Sequence, residues 1–167
     1  MSNPVVGIIM GSKSDYSTMK KASDVLDSFN ITSEMEIMSA HRTPKKVSEF
    51  AKSAKDKGIK VIICGAGMSA HLAGVVASHT DIPVIGVPLS SSQGLGGIDA
   101  LLSTTQMPKG VPVACVAING SANAALLAVK ILALSDNAIY EKLSAYKDKM
   151  RKEIESASKK LKNGETP

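Results

Sequence analysis

Short continuous apolar runs alternate with amphipathic segments along most of this chain. Residues 5–10 (VVGIIM) form one such run, the pattern of a strand covered on both faces of a parallel sheet. Residues 11–15 break it. The next segment sets Met19, Ala22, Leu26 and Phe29 on one helical face, with Lys20, Lys21, Asp24 and Asp27 off it. A second strand is predicted over residues 33–39. A second helix follows, opened by Thr43 as N-cap and Pro44 at its first position and ended by Gly58, with Val47, Phe50, Ala51 and Ala54 on its apolar face.

The unit then repeats. Residues 61–64 read as a strand, 65–68 as a turn and 69–78 as a helix. Residues 83–87 read as a fourth strand, with Pro83 at the tolerated first position. A Ser/Gly-rich loop spans 88–97, a short helix 98–106, a fifth strand 113–118 and a turn Asn119 and Gly120. Strands alternating with helices predict an α/β, three-layer, doubly wound five-stranded parallel sheet. Right-handed crossovers leave few topologies, of which the flavodoxin-like order 2-1-3-4-5 is the expectation.

The end of the chain differs. Ser121 is placed to cap a helix over 122–134 that is apolar nearly all round, so it asks for cover on several sides. An extended C-terminal helix over 137–162 carries Ile139, Leu143, Tyr146, Met150, Ile154, Ala157 and Leu161 in a nearly heptad stripe. That stripe predicts a subunit interface, although a helix lying along its own domain would also produce it. The expected organisation is a single domain, 1–167, with a core over 1–135 and an interface helix over 136–162.

Length and composition narrow the function. A chain of 167 residues can bury a sizeable core without staples. With no long apolar run and no leader-like start, a soluble cytoplasmic protein with no membrane partner is expected. Cys64 and Cys115 lie far apart inside apolar runs and read as small buried hydrophobes. The net charge is +5, and from residue 137 onward eight Lys/Arg stand against five Asp/Glu, a local excess of 8 − 5 = +3. Those charges alternate in sign, as on a solvated face, and aromatic residues are only 3% with no Trp to stack bases. No nucleic-acid partner is expected.

In a parallel sheet all strand-to-helix turns gather on the carboxyl edge, where ligands bind. The turn SAHRTP (39–44) puts a titratable His41 beside Arg42, whose planar fork suits a phosphate or carboxylate. The turn GSKSD (11–15) brings the hydroxyls of Ser12 and Ser14 and the free N–H groups of a helix start, which suit an anion. Asp15 serves either the helix dipole or two sugar hydroxyls. GAGMSA (65–70) matches a loose dinucleotide fingerprint, but no acid ends the following strand. His79 reads as structural at a helix end and His71 is ambiguous. A metal held by His41, His71 and Asp15 lacks paired spacing. The chemistry left is proton transfer by one His on a phosphorylated, sugar-bearing small molecule.

GSKSD (11–15), SAHRTP (39–44), GAGMSAHLAG (65–74), QMPKGVPVACVAI (106–118) and NAALLA (123–128), in that order, resemble the N5-carboxyaminoimidazole ribonucleotide mutase family of de novo purine synthesis. The resemblance implies a flavodoxin-like fold, a homo-octamer, and an isomerisation with no metal and no organic cofactor. The substrate's carboxylate would leave nitrogen as carbon dioxide and reattach at ring carbon C4. His41 would be the general acid and base. Ser12, Ser39 and Arg42, beside Ser14, would hold the 5′-phosphate, and Asp15 the ribose. Gly67, Ser69, Ala70, His71 and Leu72 would line the base and the carbon dioxide pocket. A related branch, the aminoimidazole ribonucleotide carboxylases, uses free carbon dioxide and usually carries Lys where this chain has Arg42. A non-catalytic nucleotide-binding module is the alternative from another class.

Overall fold

The computed structural model describes residues 5–167; residues 1–4, the start of the expected single domain, lie outside the described residues. The chain forms two compact units, Met1–Ala128 and Val129–Pro167.

The first unit is built on a five-stranded sheet of β1 (Val6–Met10), β2 (Ser33–Ile37), β3 (Val61–Gly67), β4 (Val84–Leu89) and β5 (Ala114–Cys115). All ladders are parallel and the strand order is β2-β1-β3-β4-β5, the order expected from the sequence. Every residue of β1 and β4 is buried, which is why these strands read as unbroken apolar runs rather than alternating ones.

Strand alternation decides which helix covers which face. Ile8, Ile63 and Gly65 share one face, and there α1 (Tyr16–Ser28) packs so closely that a Cβ on Gly65 would lie 2.3 Å from Met19 Sδ. Ile9, Ile62 and Cys64 point to the other face, where they cluster with Val47, Phe50 and Ala51 of α2 (Pro44–Ser53) and with Leu72 and Val76 of α3 (Leu72–Ala77). Thr104 of α4 (Ile98–Thr105) meets Gly86 on that same side. The start of α5 (Ser121–Ala133) is tied to α1 by the Ser121 hydroxyl, which donates to the Thr18 carbonyl. The sheet is thus covered on both sides, and its strand-to-helix turns share one edge.

Several boundaries differ from the sequence reading, each for a local reason. Residues 65–67, expected as a turn, continue β3, because Ala66 and Gly67 still pair with Pro88 and Leu89. The third helix starts at Leu72 instead of residue 69, since a tight turn intervenes: the Ala70 N–H donates to the Met68 carbonyl and that of His71 to the Ser69 carbonyl, both at 2.8 Å. β4 runs on through Pro88 to Leu89. β5 keeps only two ladder residues, although the Val116 N–H still donates to the Gly86 carbonyl and that of Asn119 to the Pro88 carbonyl. Thr43 holds the N-cap position of α2, but its side chain does not cap; it is turned back onto Ser39. Cys64 is buried, and burial pushes its thiol far above the usual range. Cys115 is only half-buried, contrary to expectation, because its strand is so short.

In the second unit, α6 (Asn137–Lys162) is capped by Asp136, whose carboxylate accepts from the N–H groups of Ala138 and Ile139. Its 26 residues give a length of about 39 Å at 1.5 Å per residue. Along its predicted stripe Leu143 is buried, whereas Ile154 is 73% and Leu161 63% exposed. No helix among the described residues is long and apolar enough to cross a membrane.

Candidate active site

The carboxyl edge of the sheet opens into a cavity of about 790 Å³ bordered by the turns after β1, β2, β3 and β4. Each turn is fixed by its own short hydrogen bonds. After β1 the chain enters a 3-10 turn (Lys13–Asp15), where Ser12 Oγ accepts from the Ser14 N–H at 3.4 Å and lies 3.0 Å from the Ser14 hydroxyl. After β2, Ser39 and Thr43 close a ring. The Ser39 N–H donates to Thr43 Oγ1 at 2.9 Å, and the Arg42 N–H donates to Ser39 Oγ at 3.2 Å.

Arg42 joins these two turns. Its Nη2 donates to the Gly11 carbonyl at 2.7 Å, which holds the guanidinium beside the Ser12 and Ser14 hydroxyls. One donor is used in this bond and the rest of the fork is left for an anion. Asp15 borders the same space. Burial is the main influence on its carboxyl and lifts its pKa above the usual value; hydrogen bonds from the Ser12 backbone and Ser14, and the charge of Arg42, oppose that rise.

His41 and His71 meet directly. His41 Nε2 lies 2.8 Å from His71 Nδ1, with the rings edge to face at 80°. Such a contact holds one proton between two nitrogens, so one ring donates and the other accepts. His71 is the N-cap residue of α3, and its carbonyl accepts from the Val75 N–H at 2.9 Å. A His41 that loses or gains a proton therefore has a second imidazole in contact to answer it.

Of the residues expected at the site, Ser12, Ser14, Asp15, Ser39, His41, Arg42, Gly67, Ser69, His71 and Leu72 all border the cavity. Ala70 does not: it is buried beneath the turn that carries His71. His79 lies away from the cavity, after α3 has ended. Among the described residues no group of three or more His, Cys, Asp or Glu side chains is placed to hold a metal ion.

The sequence reading missed the loop after β4, where Ser90, Ser91, Ser92 and Gln93 complete the wall. Asn119 anchors that loop from left-handed backbone (φ 58°). Its Oδ1 accepts from the Ser90 N–H at 3.0 Å, and its Nδ2 donates to Ser90 Oγ at 2.7 Å. Gly67 makes the close approach possible, since a Cβ there would lie 3.1 Å from the Leu89 carbonyl oxygen. The signal available was a hydroxyl-rich loop at the carboxyl end of a parallel strand, which the rule applied to the other turns would have included.

Residues 5–153 match the AIR carboxylase family. The chain belongs to that family. Among its AIR carboxylase relatives, the N5-carboxyaminoimidazole ribonucleotide mutase of Pyrococcus horikoshii is 52% identical over 158 residues, 95% of this chain and 89% of that one. The protein of the same name from Thermotoga maritima is 51% identical, covering 95% of this chain and 92% of its own. The crystal structure of Treponema denticola PurE superposes with a TM-score of 0.87 at 33% identity, covering 95% of this chain and 99% of that one.

Proposed function

We propose that this chain is an isomerase of purine biosynthesis that converts N5-carboxyaminoimidazole ribonucleotide to 4-carboxy-5-aminoimidazole ribonucleotide. The observation that carries this reading is the His41–His71 contact at 2.8 Å in one cavity with the Arg42 guanidinium and the Ser12 and Ser14 hydroxyls. That arrangement offers a proton-transfer pair and an anion cradle to the same small molecule. Relatives that carry the mutase name over nearly the whole chain supply the substrate class.

In this mechanism Arg42, Ser12, Ser14 and Ser39 bind the 5′-phosphate, and Asp15 accepts hydrogen bonds from the ribose hydroxyls. His41 gives a proton to the exocyclic nitrogen as its bond to the carboxyl carbon breaks. The bonding pair stays on nitrogen, and carbon dioxide is set free. Ring carbon C4 then attacks the carbon dioxide, and the C4 proton returns to His41. One proton is spent and one recovered, so the pair ends as it began. His71, in contact with His41 Nε2, positions the ring and shares the proton between the two steps. The residues at Gly67, Ser69 and Leu72 border the base and the carbon dioxide. No metal and no organic cofactor enters this scheme. The same reading makes the protein a cytoplasmic homo-octamer, supported by the exposed apolar positions Leu134, Met150 and Ile154 in the second unit.

His41→Asn tests the chemical role. Turnover should fall by about 10²–10⁴-fold or more, the typical worth of a positioned acid and base, while substrate is still retained in a binding assay. Unchanged turnover in this variant rules out the role given to His41. A chain that binds the nucleotide but never turns it over in any variant is the non-catalytic module instead.

A further inference from the structure

Met68 holds left-handed backbone, with φ 55°. The other described non-glycine residues with positive φ are Asn30 and Asn119, a type that tolerates this region. Met has no such tolerance, so the turn before His71 is strained where a glycine would not be. Packing does not account for that strain, because the Met68 side chain is 45% exposed. Two hydrogen bonds hold the turn regardless: the Ala70 N–H donates to the Met68 carbonyl, and that of His71 to the Ser69 carbonyl.

The position matters because Met68 borders the cavity that contains His41, His71 and Arg42. Glycine, alanine, serine and charged or amide side chains make up most of that wall. The other large apolar residue, Leu72, is 1% exposed and offers the cavity almost nothing. Met68 is therefore the one large apolar side chain, among the described residues of the wall, that reaches the open space. It lies on the same turn as His71, three residues before it, on the side where protons move.

Resting on the mutase reading above, we propose that Met68 is the residue that retains carbon dioxide between the two half-reactions. Freed carbon dioxide is small, neutral and apolar, so phosphate-binding serines and arginine give it no hold. A flexible thioether over the ring shields it from water and from escape. If it escapes, the atoms still balance: the carboxyamino substrate takes up one proton and ends as aminoimidazole ribonucleotide and carbon dioxide. Retention shows as the fraction that goes on to the C4 carboxylate.

The test follows a carboxyl-labelled substrate in unlabelled bicarbonate, measuring label kept in the C4 product against aminoimidazole ribonucleotide released. The wild-type protein is run first; if it forms no C4 product, the mutase reading itself fails. With wild-type turnover in hand, Met68→Gly, which suits the left-handed backbone, should release aminoimidazole ribonucleotide and lose label several-fold more than wild type. Met68→Leu, which keeps the apolar bulk, should keep label close to the wild-type fraction. An unchanged partition in Met68→Gly, or equal leakage in the Gly and Leu variants, overturns the proposal. Should the glycine variant fail to fold, Met68→Ser carries the same two outcomes.

Discussion

Asp15 sits where two demands conflict, being half-buried at the cavity wall and charged at neutral pH. Burial lifts its pKa in the folded chain above the value in the unfolded one. Its contribution to stability is therefore fully present below the unfolded pKa and lost as pH rises through the raised folded one. Asp15→Asn should melt at a higher temperature than wild type at pH 7, with the gap closing as pH falls below the ordinary carboxylate range. A gap that does not change with pH contradicts this account of Asp15. The same variant should turn over more slowly, because it gives up the charged acceptor for the ribose. Asn119 poses a different residue-scale question, since its role is to hold Ser90 through two hydrogen bonds. Asn119→Gly keeps the left-handed backbone and removes only the amide. About 1 kcal/mol per lost neutral hydrogen bond is the expected loss, with a raised KM as the loop over residues 90–93 loosens. An unchanged KM means that this loop does not touch substrate.

At the scale of elements, the sheet was legible because burial on both faces leaves a plain mark: β1 and β4 are unbroken apolar runs, and turn residues punctuate them. The order β2-β1-β3-β4-β5 followed from alternation and crossover handedness. What stayed hidden was set by contacts across the chain. A glycine pair at residues 65 and 67 looks like a turn until its ladder to Pro88 and Leu89 is known. Thr43 looks like a cap until Ser39 claims its hydroxyl. In the site, Ser12, Asp15, His41 and Arg42 were readable because each adjoins a strand end. The His41–His71 contact, at a separation of 30 residues, and the Ser90 loop could not be placed by spacing alone. Phe50 makes the energetic point for α2. It is buried between helix and sheet, so Phe50→Ala should cost about 3–5 kcal/mol in chemical denaturation. A loss below about 1 kcal/mol contradicts the packing described.

Across the whole molecule, the second unit carries the apolar surface that the first does not need. Leu134 is 88%, Ile154 73% and Leu161 63% exposed, while the charged positions between them pair along the helix as Arg151 does with Asp148 and Glu155. Such a surface fits association of copies. Ile154→Asp should lower the mass seen in light scattering, with the first unit still folded by circular dichroism; an unchanged mass removes α6 from the interface. The central claim is about chemistry, and one assay reaches it most directly. Freshly made N5-carboxyaminoimidazole ribonucleotide is mixed with the protein without ATP or added bicarbonate, and the imidazole absorbance is followed. The account predicts rapid appearance of the C4 carboxylate and its loss in His41→Asn. Product that forms only from aminoimidazole ribonucleotide at high bicarbonate, with the carboxyamino substrate left untouched, would contradict it.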